Sequence, residues 1–314
     1  MQQISWTFKL DQEANGRRKS RYTKWCPRSY SGVTNTISGP QNRIIGAQSA
    51  LPGQFPHAAF ITYASGQGTY CGASIITHRH LLTAKFCFTN LPHTIRNTKG
   101  LVLKIGGICH THEIGVCNKV DMLKVDIDFV IFDTVIRNIL HGTGDFAIIQ
   151  LSNSIPKELF ENKTVSIACL PEHKDEEIPD KITQAGWGMI ENGLGSNILK
   201  YVNLRTWDDC YKELDPELDE SKHLFCAYFK NWEGNETKVN IGGNVGDIGD
   251  GVVAYSQKRK VLVLHGVFLS FRSHIFAVQG LVSILLRIRY LLDDFCYYLD
   301  LCSHPNIIGK TSSH

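Results

Sequence analysis

The densest cluster of reactive side chains runs Cys109-His110-Thr111-His112-Glu113-Ile114-Gly115-Val116-Cys117, with thiol, imidazole and carboxylate groups inside nine residues. Such a set has the donors for a small metal ion. In an oxidising compartment the same two cysteines close a surface loop as a disulfide, and this is the expectation; no metal is assigned. A second segment, Gly246-Asp247-Ile248-Gly249-Asp250-Gly251, sets two aspartates among three glycines. Just before it, Asn240-Ile241-Gly242-Gly243-Asn244 is rich in residues that leave a backbone locally flexible. The basic run Arg17-Arg18-Lys19-Ser20-Arg21 reads as a solvated tail.

Composition narrows the function classes. The chain has 314 residues, 43% hydrophobic and 20% charged, enough to bury a sizeable core. A net charge of +3 without a dense basic stretch gives no grip on nucleic acid. The longest uncharged apolar run, near 275–286, is too short to cross a bilayer, so no membrane association is expected. Ten dispersed cysteines, none in CxxC spacing, fit structural disulfides in an oxidising compartment. The sequons at Asn162 and Asn235 agree with glycosylation and secretion. Met1 to Leu10 has no apolar signal core, so the expectation is a secreted protein whose signal peptide is missing from this form of the sequence.

The elements that must position these groups are mostly strands. Residues 1–43 lack periodicity and read as an N-terminal extension, with a linker-like stretch over Ser29 to Gln41. From Ile44 onward, short β-branched and aromatic runs alternate with Gly, Pro and Asn. They include 57–64, 69–77, 101–108, 128–136, 145–151, 181–189, 260–271 and 275–284. This spacing predicts an all-β barrel or sandwich over 44–302, with one helix near 285–299 and a short tail over 303–314.

Seven segments, in order, resemble the chymotrypsin/trypsin family of serine proteases. Arg43-Ile44-Ile45-Gly46-Ala47 resembles an activation site, and Pro52-Gly53-Gln54-Phe55-Pro56 follows it. Cys71-Gly72-Ala73-Ser74 through Leu82-Thr83-Ala84-Lys85-Phe86-Cys87 resembles the strand pair leading to the catalytic histidine. Gly144-Asp145-Phe146-Ala147 resembles the aspartate segment, Ala168-Cys169-Leu170-Pro171 and Ala185-Gly186-Trp187-Gly188 two further landmarks, and 246–251 the nucleophile loop. The resemblance implies two packed six-stranded antiparallel β-barrels with a C-terminal helix, and needs no cofactor.

Catalysis in that family needs a serine nucleophile, a histidine base to take its proton, and an aspartate to orient the base. The matching positions here hold Phe86, Asp145 and Ile248. Neither a phenyl ring nor a branched alkyl group accepts a proton or attacks a carbonyl. Nearby His78 and His80 and the distant Ser270 are expected to serve as surface or strand residues rather than substitutes.

Other parts of the site are retained or changed piecemeal. The resemblance makes Asp247 the partner of a new Ile44 ammonium after cleavage at Arg43, and makes Gly246 and the Ile248 N–H an oxyanion-hole-like turn. It puts Gly242 at the base of the specificity pocket and Asn244 where a bracing cysteine normally stands. Asp250 replaces a glycine and Gly251 a proline. It also implies disulfides Cys71–Cys87, Cys210–Cys226 and Cys26–Cys169, leaving Cys296 and Cys302 to pair with each other or with another chain. The function expected is binding of a protein partner (a protease, inhibitor or cascade component) as a cofactor, decoy or regulator in an extracellular proteolytic cascade. The alternative is a diverged active endopeptidase using other residues.

Overall fold

The computed structural model describes residues 47–64, 69–89, 100–132, 146–189, 195–208, 210, 223–229, 243, 246–274 and 280–299. Two antiparallel sheets dominate it. The first takes β2 (Ala58–Tyr63), β3 (Thr69–Ile75), β4 (His80–Ala84), β5 (Leu101–Ile105), β6 (Leu123–Val125), β7 (Ile127–Phe132) and β8 (Phe146–Leu151), in the order β6-β5-β2-β3-β4-β8-β7. Its edge strands β6 and β7 are separated in sequence by Asp126 alone, so one bent stretch of chain borders β5 at one side and β8 at the other. Counted as one bent strand, it makes the sheet the six-stranded unit that the resemblance implies.

The second sheet takes β1 (Gln48–Ser49), β9 (Lys181–Gly186), β10 (Lys200–Trp207), β11 (Leu224–Tyr228), β12 (Gly251–Ser256), β13 (Val261–His274) and β14 (Gly280–Arg287), in the order β1-β10-β11-β14-β13-β12-β9. A further β9–β10 pairing closes six of these strands into a ring, and β1 adds to β10 from outside. Closure leaves the ring without a free edge, which is how small all-β domains avoid edge-to-edge association.

The strand sequences follow from burial. Phe146-Ala147-Ile148-Ile149 on β8 is apolar on both faces because β8 lies between β4 and β7 with all four residues buried. Trp187, 1% exposed, joins the barrels: its indole N–H donates to the Ile108 carbonyl at 2.9 Å while its ring packs on Phe60 at 5.6 Å. A buried indole with its one donor satisfied brings a large apolar area at no polar cost.

The helix expected over 285–299 is corrected. Leu285, Leu286 and Arg287 complete β14, where they pair with β11 and β13, and Ile288–Tyr290 form a 3₁₀ turn. The helix, α3, is Leu292–Leu299. The apolar residues before it fill a strand buried on both faces, and such a run carries no periodicity to tell strand from helix. Phe295 of α3 is fully buried and meets Phe146 edge-on at 5.9 Å, so this helix docks on the first barrel.

Candidate functional site at the barrel junction

Strand β4 ends at Ala84, and Lys85 turns the chain into α1 (Phe86–Thr89), a single helical turn. The Cys71–Cys87 disulfide ties that turn to β3, and the Thr83 hydroxyl donates to the Gly72 carbonyl at 2.6 Å. Residues 246–250 approach from the second barrel. The Gly72 N–H donates to the Ile248 carbonyl at 2.8 Å, and Cys87 Sγ lies 3.5 Å from the same oxygen. Phe86 and Ile248, both half-buried, therefore stand on facing walls of one corner. Asp145, the third position of the set, lies outside the described residues; Phe146, next in sequence, pairs with Ala84 two residues before Phe86.

The 246–250 turn keeps its shape through glycine. Gly246 and Gly249 have φ of +94° and +92°. A Cβ on Gly249 would also collide with Thr83 Oγ1 and the Gly72 carbonyl, so both backbone angle and space require glycine there. Gly249 N–H donates to the Phe268 carbonyl, Asp250 N–H to the Asp247 carbonyl and Phe268 N–H to the Asp250 carbonyl, at 2.8, 2.9 and 2.8 Å. The Gly246 and Ile248 N–H groups make no backbone hydrogen bond among the described residues.

The neighbouring candidates are engaged elsewhere. His80 Nδ1 meets Thr77 Oγ1 at 2.8 Å and its Nε2 meets Gln150 Oε1 at 3.2 Å. The His78 ring packs on Phe160 at 4.6 Å. Ser270 lies on β13, at a bulge in its pairing with β14.

Asp247 is 5% exposed, and its Oδ1 accepts the Gly188 N–H at 2.7 Å. A narrow cleft beside it is lined by Gln184, Gly186, Lys200, Tyr201, Val202 and Gly243, and the Gln184 amide, also buried, has no hydrogen-bond partner among the described residues. Arg43, Ile44, Gly242 and Asn244 lie outside the described residues, as do Cys26, Cys302 and Asn235. Asn162 is exposed just after the short helix α2 (Lys157–Glu161), with its Oδ1 accepting the Thr164 N–H at 3.0 Å.

The disulfides Cys71–Cys87, Cys109–Cys117 and Cys210–Cys226 are formed. Cys169 is disulfide-bonded as well, and Cys296 sits on α3. The Cys109–Cys117 loop is a tight hairpin held by paired Glu113–Cys117 backbone hydrogen bonds of 2.9 and 2.7 Å, with Gly115 at φ +81° at its tip. Its His110 stacks on Phe60 at 4.4 Å and its Glu113 accepts from Asn197 Nδ2 at 3.0 Å, so these side chains brace the loop.

Sequence reasoning missed one feature: the burial of Asp250. Its carboxyl is wedged between Gly72 of one barrel and Gly186 of the other. A methyl group on Gly72 would overlap Asp250 Oδ1 and come within 3.0 Å of the Asp250 Cα. Gly72→Ala is therefore expected to destabilise the fold by about 3 kcal/mol, the upper range for overpacking. Urea unfolding measures this, and the loss should shrink in an Asp250→Gly background, where the collision with the carboxyl is gone. An unchanged loss in that background would place the clash elsewhere.

Comparison with known proteins agrees with this architecture. A model of the trypsin family matches residues 44–266. The chain is 26% identical over 206 residues to serine protease SSP1 of Scolopendra subspinipes, covering 64% of this chain and 67% of that protein. It is 30% identical over 184 residues to spermosin of Halocynthia roretzi, covering 52% and 41%. It is 24% identical over 229 residues to the proclotting enzyme of Tachypleus tridentatus, covering 68% and 56%. The chain thus spans about two fifths to two thirds of the length of these relatives. With the family model covering well over half the sequence and two barrels meeting at the corner that its landmarks share, the chain belongs to the trypsin family of serine proteases.

Proposed function

We propose that this chain is a non-catalytic member of the family that works by binding another protein, as a cofactor, decoy or regulator of an extracellular proteolytic cascade. The observation that carries this reading is the corner itself, where Phe86 and Ile248 stand at the positions that need a base and a nucleophile. His80, the nearest imidazole to Phe86 in sequence, spends both ring nitrogens on Thr77 and Gln150. The similarity to a proclotting enzyme supports the cascade setting. Three closed disulfides and the exposed Asn162 sequon support secretion. No helix among the described residues is long and apolar enough to cross a membrane.

Exposed apolar area supports binding over turnover. Of six exposed large hydrophobic residues among those described, five (Ile114, Val116, Val120, Leu123 and Phe129) fall between 114 and 129, and Ile114 at the hairpin tip is 87% exposed. A concentration of that kind is the usual mark of a contact surface.

The test has two arms. A fluorophosphonate probe, which acylates activated serines, should leave the purified, oxidised protein unlabelled; labelling would establish the rival reading of a diverged active endopeptidase. A pull-down from the secreted fluid of the source should recover a specific protein with the wild type and lose it with Ile114→Asp. The same pull-down repeated after tryptic nicking at Arg43 should change in partner set if the activation switch is retained.

A further inference from the structure

The two carboxyl groups of the 246–251 turn pack against one another in a slot that excludes water. Asp250 is 2% exposed and Asp247 5%. A methyl group placed on Gly186 would overlap Oδ2 of Asp250 and Oδ1 of Asp247 together, so both oxygens converge on the same point of β9. Gly72, on β3 of the other barrel, faces Asp250 Oδ1. Among the described residues no backbone or neutral side-chain donor reaches Asp250 Oδ2, although an ionised carboxylate in a dry site is costly without several donors.

We propose that Asp247 and Asp250 hold a single proton between them, and that this shared proton latches the 246–251 turn across the two barrels until rising pH removes it. Among the described residues, no cationic side chain compensates the Asp250 carboxyl. From β3 the slot receives Gly72, with Ser74 beside it against Gly251; from β4, Thr83 at Gly249; from β9, Gly186, with Gln184 one strand position further. From β13 come Leu264 and Phe268, which pack on the turn's flanks. None of these side chains titrates or carries charge. Among the described residues, the ammonium lining the cleft on the Asp247 side is that of Lys200 on β10. Two adjacent carboxylates cannot both ionise in such a place; one keeps a proton and donates it to the other. Burial first, and then the neighbouring Asp247, hold the Asp250 carboxyl well above its ordinary 3.8.

The direction of the pH effect follows. Below 3.8 the carboxyl is protonated folded and unfolded alike, and the contribution is fully present. Above it the unfolded chain releases a proton that the folded chain retains, so each pH unit favours unfolding by about tenfold. Once the folded pair also loses its proton, two charges face each other in the slot and the turn is released. The latch does not depend on whether the corner is catalytic or binding.

Asp250→Asn keeps the shape and donates to Asp247 at every pH. The quantity to measure is the ratio of urea-unfolding constants, wild type to Asp250→Asn, between about pH 4 and 9; histidine titrations are common to both proteins and cancel. The ratio should climb about tenfold per unit and then level off. A flat ratio overturns the proposal. If the variant does not fold, infrared spectroscopy of the wild type decides the matter. A protonated carboxylic C=O band should persist at neutral pH and vanish in alkali, and its absence at neutral pH overturns the proposal equally.

Discussion

Lowering the pH from 6.5 toward 4 is expected to destabilise the protein by several kcal/mol, because two buried histidines must stay neutral for it to fold. His57, 3% exposed in the turn just before β2, has its pKa pushed from 6.5 down to about 4 by burial. His265, 4% exposed on β13, is pushed to about 4 by burial and then by the positive charges of Arg259 and Arg289. In the unfolded chain each binds a proton near 6.5. Their stabilising contribution is therefore present above 6.5 and lost as pH falls toward 4. At 1.36 kcal/mol per pH unit, each shift corresponds to about 3 kcal/mol. Urea titrations at pH 7 and 5 should show the loss in the wild type and its disappearance or reversal in a His57→Gln/His265→Gln variant, where the Asp250 carboxyl opposes it. Parallel losses in the two proteins would refute it.

These histidines oppose Asp250, and counting protons decides the outcome. Between about 4 and 6.5 the unfolded chain holds two histidine protons that the folded chain lacks, and lacks one carboxyl proton that the folded chain holds. Stability therefore rises with pH by a net slope of one proton, about tenfold per unit in the unfolding constant. Above 6.5 the histidine difference vanishes and the carboxyl alone tilts stability the other way.

The architecture was legible because its landmarks are local. Cys71-Gly72, Ala185-Gly186-Trp187-Gly188 and Gly246-Asp247 each lie on a short stretch, and their order along the chain announced two barrels. Two disulfides implied by the resemblance, Cys71–Cys87 and Cys210–Cys226, are formed, and the Cys109–Cys117 loop is closed by the disulfide expected from its own residues. What lay beyond the sequence depends on segments far apart in the chain. Asp250 stood out as an acid in a glycine's place, but its burial required Gly72 and Gly186 to meet it from opposite barrels. Likewise nothing near His57 or His265 in sequence marks either ring as buried. The helix boundary failed for another reason: Leu285 and Leu286 pair with strands at both edges, and a run buried on both faces has no hydrophobic period to read.

Restoring a single catalytic group is expected to leave the chain inert. Ile248→Ser supplies a hydroxyl at the turn whose Gly246 and 248 N–H groups make no other backbone hydrogen bond among the described residues. Phe86 stays opposite, however, and a hydroxyl without a base remains protonated at neutral pH. Phe86→His supplies the base with nothing for it to deprotonate. Groups that act as one unit are not additive: in subtilisin, removing either costs about as much as removing the whole set, roughly a factor of a million. Fluorophosphonate labelling of each single variant should thus match the unlabelled wild type. The Phe86→His/Ile248→Ser double variant should label about 10²–10⁴ times faster than Ile248→Ser, the range supplied by a positioned base. Labelling of Ile248→Ser alone at the double variant's rate would mean that some other side chain already serves as base, and the reading of Phe86 as a missing imidazole would be wrong. A double variant no faster than either single would instead place the defect in the wedge of Asp250, whose carboxyl occupies the space beside the nucleophile turn that a glycine leaves open.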